Sequence, residues 1–152
     1  MNQRLRHFIL PKLNRAFFIR LACVVVCSFL FFKFILVPAR IQGGSMEPTY
    51  HDGRLIFYMP MLRFVKQPEI NDVAMIRLAG NRIMLLKRIV ALPNDTVQWR
   101  DGILLRNNAA IDEPYVKFND DWSTELVKVP PDHVYVVGDN RGMPQEQHDF
   151  GY

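Results

Sequence analysis

The sequence of 152 residues has few cysteines, and its first forty residues contain no acidic side chain. Both cysteines, Cys23 and Cys27, lie in a single apolar stretch, so the rest of the chain must fold without disulfide bonds. None of the four histidines has a cysteine or acidic partner at a spacing typical of metal ligands. The sequence therefore indicates neither a metal ion nor an organic cofactor.

Charge is distributed unevenly along the chain. Residues 1–40 contain seven basic side chains, whereas residues 41–152 contain twelve basic and fifteen acidic side chains, a balance of −3. The surplus of positive charge is thus confined to the N-terminal quarter. Because the folded part has no such surplus to bind a phosphate backbone, we expect no nucleic-acid partner.

One apolar segment near the N-terminus predicts a membrane anchor. Ala16 to Val37 contains two charges, and its 22 residues at ~1.5 Å each can cross a hydrocarbon core of ~30 Å. A cleaved secretory signal is the alternative, but the residues after Val37 lack a small-x-small cleavage site. The basic flank predicts residues 1–15 in the cytoplasm, 16–37 as a transmembrane helix and 38–152 as one extracytoplasmic domain.

Beyond the anchor, short runs of β-branched and aromatic residues alternate with Gly, Pro, Asn and Asp, which predicts a mainly β domain. The expected strands are Arg54–Tyr58, Asp72–Leu78, Ile83–Val90, Thr96–Arg100, Ile103–Arg106 and Val134–Val137. Asp101-Gly102 predicts a two-residue hairpin, because a type I′ turn needs a positive φ at both central positions. The polar stretch Asn107–Lys128, interrupted by Pro114, is expected to be a loop or an excursion from the main sheet.

Two side chains of this domain have the character of a catalytic pair. Ser45 follows two glycines, in a turn where the backbone can approach a substrate closely. Lys87 lies inside an apolar run, where burial would lower the pKa of its amine and allow it to take a proton from a serine hydroxyl. Each has a structural alternative: Ser45 as an ordinary turn residue, and Lys87 as a strand lysine that reaches an edge and pairs with Asp72 or Asp95.

Four sequence blocks carry a resemblance to a known family. They are Gly44–Thr49, Asn71–Ile76, Leu86–Asp95 and Val137–Arg141. In this order behind one apolar anchor, they make the chain similar to the type I signal peptidases, membrane-anchored serine proteases with an antiparallel β fold. The resemblance implies that Ser45 is the nucleophile, that Lys87 is the general base, and that the partners are preprotein signal peptides and the lipid bilayer. It also implies the inner, cytoplasmic membrane as the location.

The same resemblance implies the other site residues. The oxyanion would be bound by backbone N–H groups of Ser45, Gly43 and Gly44, because Gly43 stands where some members have a hydroxyl. An extended signal peptide would pair with a strand edge, and shallow pockets would select its small side chains. The candidate pocket residues are Met46, Ile83, Leu85 and Leu86. The candidate supporting residues are Asp139, Asn140, Arg141 and Glu146.

The chain departs from the family pattern after Arg141. Without gaps, Pro144 occupies the position of the serine that helps orient the lysine, Glu146 that of an acid and His148 that of an arginine. The orientation of Lys87 must therefore depend on other groups, such as backbone carbonyls or Glu146.

Three alternatives to a general signal peptidase remain open: a specialised peptidase for pilin precursors in conjugative transfer, a self-cleaving Ser/Lys repressor, and a catalytically silent membrane-tethered binding domain. The anchor and the lack of a DNA-binding segment argue against the repressor. The apolar run at residues 55–62 is interpreted either as a membrane-apposed surface or as core. The sequence does not indicate an oligomeric state.

Overall fold

The computed structural model describes residues 13–77 and 84–152. Helix α1 (Arg15–Leu30) is capped by Asn14, whose side-chain oxygen accepts a hydrogen bond from the Phe17 N–H at 2.9 Å. A π-helical turn (Phe31–Ile35) continues it. None of the residues of α1 is buried, as expected for a helix that contacts lipid rather than a protein core.

The helical stretch from Arg15 to Ile35 has 21 residues and is long and apolar enough to cross a membrane. It begins one residue before the predicted anchor and ends two residues before the predicted Val37. The early end is explained by Pro38, which has no N–H to donate and which restricts the preceding residue to extended conformations.

Strands make up most of the remaining regular structure. In the described ranges they are β1 (Val37–Arg40), β2 (Leu55–Tyr58), β3 (Val73–Arg77), β4 (Met84–Ala91), β5 (Thr96–Arg100), β6 (Ile103–Arg106), β7 (Ala109–Ala110), β8 (Val127–Lys128) and β9 (Tyr135–Val137). Strand β1 pairs with β2, the order β3-β4-β9 forms a second sheet and β7-β6-β5-β8 a third. All pairings of the two larger sheets are antiparallel.

The chain divides into two compact units. One contains α1, the residues up to Pro38 and Phe57–Met61, and the other consists of Ala39–Ile56 and Leu62–Tyr152. The second unit has its own hydrophobic core, formed by Val90, Ala91, Val97, Trp99, Leu104, Trp122, Val129, Tyr135 and Val137. These residues come from both of the larger sheets, so the core joins β4 and β9 to the β5–β6 hairpin.

An aromatic cluster lies within that core. The Trp99 ring has its centroid 5.8 Å from that of Trp122, 5.9 Å from that of Tyr135 and 5.8 Å from that of Phe150. Tilted and edge-on contacts between rings at these distances stabilise the core beyond what the burial of the large aromatic side chains contributes. Through Phe150, the cluster fastens the C-terminal segment to the core.

The antiparallel strands and the single N-terminal helix confirm the predicted fold class. The hairpin at Asp101-Gly102 also has the expected form: φ is 51° and 75° at the two residues, and Arg100 pairs with Ile103. The stretch Asn107–Lys128 leaves the β3-β4-β9 sheet, as one of the two predicted alternatives has it, but its short strands β7 and β8 were not predicted. Two-residue strands are too short to show the alternation that identifies a strand in a sequence.

Candidate active site

Ser45 lies in a turn that the segment after β9 holds in place. Gly43 has a φ of +89°, and its N–H donates to Asp52 Oδ1 at 2.9 Å. The Gly44 carbonyl accepts a hydrogen bond from Asn140 Nδ2, and the Ser45 carbonyl accepts one from the Asn140 N–H, both at 3.0 Å. Asn140, predicted as a supporting residue, thus fixes two consecutive peptide groups at the candidate nucleophile.

This arrangement decides which N–H groups could bind an oxyanion. The N–H of Gly43 is already used by Asp52. Among the residues described, no acceptor takes the N–H of Gly44 or of Ser45. These two groups are therefore the available donors for negative charge that develops next to the Ser45 hydroxyl.

Lys87 lies in the middle of β4 and is only 2% exposed. Burial lowers the pKa of its amine, and the negative charge of Asp149 partly opposes this effect. In the described parts of the chain, its Nζ has no hydrogen bond or ion pair. The alternative partners are occupied elsewhere: Asp72 pairs with Lys66 at 3.0 Å, and Asp95 accepts from the Leu92 N–H at 2.8 Å. Lys87 is therefore buried and is not a strand-edge lysine.

The register of the central sheet brings Lys87 and Ser45 to the same face. The antiparallel register ends with Arg88 opposite Val137, and its continuation by one residue would put Gly138 opposite Lys87. Directly opposite residues of an antiparallel pair project to the same face of a sheet. A methyl group at Gly138 would overlap the Ser45 carbonyl oxygen and would lie 2.9 Å from the carbonyl carbon. The Ser45 backbone thus covers Gly138 on the face to which Lys87 projects.

Asp139 links the Ser45 turn to β4 from the other side. It is completely buried and accepts hydrogen bonds from Arg88 Nε at 2.8 Å, from Arg88 Nη2 at 2.6 Å and from Thr49 Oγ1 at 2.6 Å. Arg88 projects to the face opposite Lys87, because side chains alternate along a strand. The buried ion pair therefore ties the turn to the strand without contacting the face that Lys87 shares with Ser45.

Arg141 is the second of the predicted supporting residues that is buried. Its Nε donates to the Gly138 carbonyl at 2.7 Å, and its two terminal nitrogens bind the Glu113 carboxylate at 3.0 and 2.6 Å. Glu113 also accepts from the Tyr115 hydroxyl at 2.9 Å, and the Arg88 guanidinium lies 3.9 Å from the Tyr115 ring centroid. Burial raises the pKa of the Tyr115 hydroxyl, so it remains a neutral donor.

A small cleft, with a cavity volume of about 30 Å³, opens beside Ser45. Its lining includes three of the predicted pocket residues, Met46, Leu85 and Leu86. The fourth, Ile83, lies outside the described residues. Within the described ranges, one edge of β4 at Leu85 and Leu86 has no strand partner, because β9 pairs only from Arg88 onward. An unpaired strand edge offers N–H and C=O groups to an extended peptide.

The segment after Arg141 does not place Glu146 next to Lys87. Pro144 and Glu146 are exposed, and Glu146 lies in a short 3₁₀ turn (Gln145–Gln147). The acidic group that acts on Lys87 is instead Asp149. His148, at the position of the family's arginine, is buried.

Several contacts at the candidate site were not predicted from the sequence. Strand alternation could have indicated that Arg88, next to Lys87, points to the opposite face and needs a buried acid. His148 and Asp149 gave no such local signal. Their position depends on Gly151, which exchanges two backbone hydrogen bonds with Val136 at 2.8 and 3.0 Å.

Comparison with known proteins agrees with this site. The family model described as signal peptidase, peptidase S26, matches residues 13–151. Signal peptidase I of Bacillus licheniformis is 34% identical over 129 residues, which cover 77% of this chain and 68% of that protein. Signal peptidase I S of Bacillus subtilis (strain 168) is 32% identical over 130 residues, with the same coverage. A probable signal peptidase I-1 of Synechocystis is 26% identical over 140 residues, 87% of this chain and 71% of that protein. The chain therefore belongs to the signal peptidase family, peptidase S26, whose serine endopeptidases remove signal peptides from preproteins.

Proposed function

We propose that this membrane-associated signal peptidase cleaves preproteins with Ser45 as nucleophile and Lys87 as general base. The observation that carries the proposal is the burial of Lys87 on the face of the sheet that the Ser45 backbone covers. A buried lysine has a lowered pKa, so a useful fraction of its amine is neutral and able to accept a proton. A solvated lysine would remain an ammonium and could not act as a base.

The reaction is an acyl transfer in two stages. As Ser45 Oγ attacks the scissile carbonyl carbon, its proton moves to Lys87 Nζ, and the Gly44 and Ser45 N–H groups bind the oxyanion. The ammonium then gives this proton to the leaving amine, and the mature protein departs. A water molecule, deprotonated by Lys87, hydrolyses the ester and restores the free hydroxyl.

We infer that the signal peptide binds as an added strand. The cleft lies between the chain leading to Ser45 and β4, and the edge of β4 at Leu85 and Leu86 can bond to the main chain of the substrate. Met46 and Leu85 narrow the cleft, so small side chains next to the scissile bond fit best. Main-chain pairing supplies affinity that does not depend on sequence, as an enzyme with many preprotein substrates requires.

The proposed topology follows from the helix and its charges. Residues 1–15 lie in the cytoplasm, the stretch predicted over 16–37 crosses the inner membrane, and 38–152 form the extracytoplasmic peptidase domain. In the unit that contains α1, the side chains of Phe57, Met59 and Met61 are exposed. Apolar side chains next to a membrane helix are suited to contact with the bilayer surface.

The test uses the full chain in detergent and a purified preprotein, with the cut located by mass spectrometry. Ser45→Ala and Lys87→Ala should each lower kcat by roughly 10³-fold or more, and the double variant should be little worse, because the two residues act as one unit. Lys87→Arg should also be inactive, since a guanidinium stays protonated. The exposed Ser123→Ala and Lys128→Ala are matched controls that should keep full activity.

The outcomes separate the candidate functions. Substantial activity in Lys87→Ala would refute the dyad. Binding of the preprotein without any cleavage by the unaltered chain would instead favour the catalytically silent binding domain.

A further inference from the structure

His148 lies at the Lys87 site although the reaction does not yet assign it a role. Its side chain is 5% exposed and packs edge-on against Trp122, with ring centroids 5.0 Å apart. A methyl group at Gly138 would overlap His148 Cε1 as well as the Ser45 carbonyl. The imidazole and the Ser45 backbone therefore cover the same glycine, which the continued register would put across the sheet from Lys87.

The hydrogen bonds of His148 define its tautomer. Nε2 lies 3.1 Å from the Asn140 carbonyl oxygen, and a carbonyl can only accept, so Nε2 carries the proton and donates it. In a neutral ring Nδ1 then has a free lone pair. That atom is buried and has no hydrogen-bond partner in the described parts of the chain.

Burial and the positive charges nearby keep the His148 ring neutral. Burial is the main cause that lowers the pKa of His148 to about 4, and the positive charges of Lys87 and Arg141 act in the same direction. Asp149, the neighbouring carboxylate, raises the pKa of Lys87. The site thus contains a buried acceptor without a donor and, on the same face, an amine without an acceptor.

We propose that His148 is a positioning residue for Lys87: in the reacting enzyme a Lys87 N–H donates a hydrogen bond to His148 Nδ1, an acceptor that has no donor among the residues this structure describes. This inference rests on the proposed dyad. The imidazole then does what the resemblance assigns to a serine hydroxyl, at a position where this chain has Pro144. Holding one amine N–H restricts rotation about the last bond of the lysine and directs its lone pair at the Ser45 hydroxyl. After proton transfer, the ammonium keeps the same bond.

Two variants separate this role from packing. In His148→Gln the amide can still donate to the Asn140 carbonyl, as Nε2 does, but no acceptor remains at the position of Nδ1. Its kcat should fall about tenfold, as expected for one net hydrogen bond, and KM should change little. Because an acceptor stabilises the ammonium more than the amine, its loss should also move the acidic limb of the pH–kcat/KM profile to lower pH. His148→Asn keeps an acceptor at that position and should retain the acidic limb and more of kcat.

The matched control is His133→Gln, which changes an exposed histidine outside the site and should alter neither kcat nor the pH profile. A His148→Gln variant with the kcat and pH profile of the unaltered enzyme would overturn the inference. A rise in KM alone would do so too. Neither result would affect the dyad, whose test is Lys87→Ala.

A measurement on the unaltered protein keeps the inference testable if both variants fail to fold. The ¹⁵N resonances of the His148 ring at pH 7 should show a protonated Nε2 and an unprotonated Nδ1 that accepts a hydrogen bond. That acceptor signature should disappear in Lys87→Ala. A protonated Nδ1, or a signature that is unchanged in Lys87→Ala, would exclude the proposed bond.

Discussion

The absence of a side chain at Gly138 leads to a sharp prediction for Gly138→Ala. The added methyl group would overlap the Ser45 carbonyl oxygen and would lie 2.9 Å from the carbonyl carbon, 0.5 Å inside the 3.4 Å at which ordinary van der Waals contact begins. The obstacle is backbone, which cannot rotate away. The Ser45 turn must shift by several tenths of an ångström, and the His148 ring must move as well.

The expected losses follow from that shift. Overpacking of a buried site costs about 1–3 kcal/mol of unfolding free energy. Misplacement of a reacting group on the order of 1 Å can cost about 10²-fold in rate, so kcat per folded molecule should fall by roughly one to two orders of magnitude. Urea unfolding followed by tryptophan fluorescence measures the first loss, and single-turnover cleavage of a preprotein measures the second.

Gly142→Ala is the matched control for this substitution. Gly142 is in the same loop, and its methyl group would lie 2.9 Å from Phe118 Cβ and at an ordinary contact distance of 3.5 Å from Asn140 Oδ1, while Ser45 is not among its three nearest neighbours. It should lower stability to a similar extent while each folded molecule keeps nearly its full rate. Equal rates per folded molecule in the two variants would refute the conclusion that Ser45 rests on Gly138.

Two further predictions address the buried ion pair and the topology. Asp139→Asn leaves the buried Arg88 without its anion and should lower the unfolding free energy by about 3–5 kcal/mol, whereas Glu69→Gln, in an exposed pair with Lys66, should leave the urea midpoint nearly unchanged. An Asp139→Asn midpoint equal to that of Glu69→Gln would contradict the structural role assigned to Asp139. An alkaline phosphatase reporter fused after Tyr152 should be active, because the proposed topology puts the chain after α1 outside the cytoplasm. An inactive alkaline phosphatase fusion together with an active cytoplasmic reporter at the same site would overturn this orientation.

The parts of the fold predicted correctly are those whose signals are local. Strands β5 and β6 were predicted to the residue, because alternation along each strand and the Asp101-Gly102 turn between them specify the hairpin. β7 and β8 were missed, since two residues show no period. The start of β1 at Val37 was assigned to the anchor because its side chain is as apolar as those of the helix before it.

In the candidate site, too, the residues with a local sequence signal could be predicted and those placed by long-range contacts could not. Ser45 and Lys87 could be proposed from the sequence because a serine after two glycines and a lysine in an apolar run are local signals, and the resemblance carried by four sequence blocks implies their roles. The grouping of His148 with Lys87 was not predictable, since it depends on the pairing of Gly151 with Val136 and on the fit of an imidazole over Gly138. Those contacts arise only once β9 has joined the sheet.

As the proposed binding edge for a peptide, β4 at Leu85 and Leu86 would separate two properties that are coupled in most binding sites. Hydrogen bonds to a peptide main chain depend on strand geometry, whereas the choice of side chain depends on the few residues that narrow the cleft. Substitutions at Met46 or Leu85 should therefore change which residue is accepted before the cut without abolishing binding. Conversely, a short peptide with an N-methylated backbone should bind poorly whatever its side chains. The choice of the residue before the cut could thus be redesigned through the residues that line the cleft, while the hydrogen bonds to the peptide main chain stay the same.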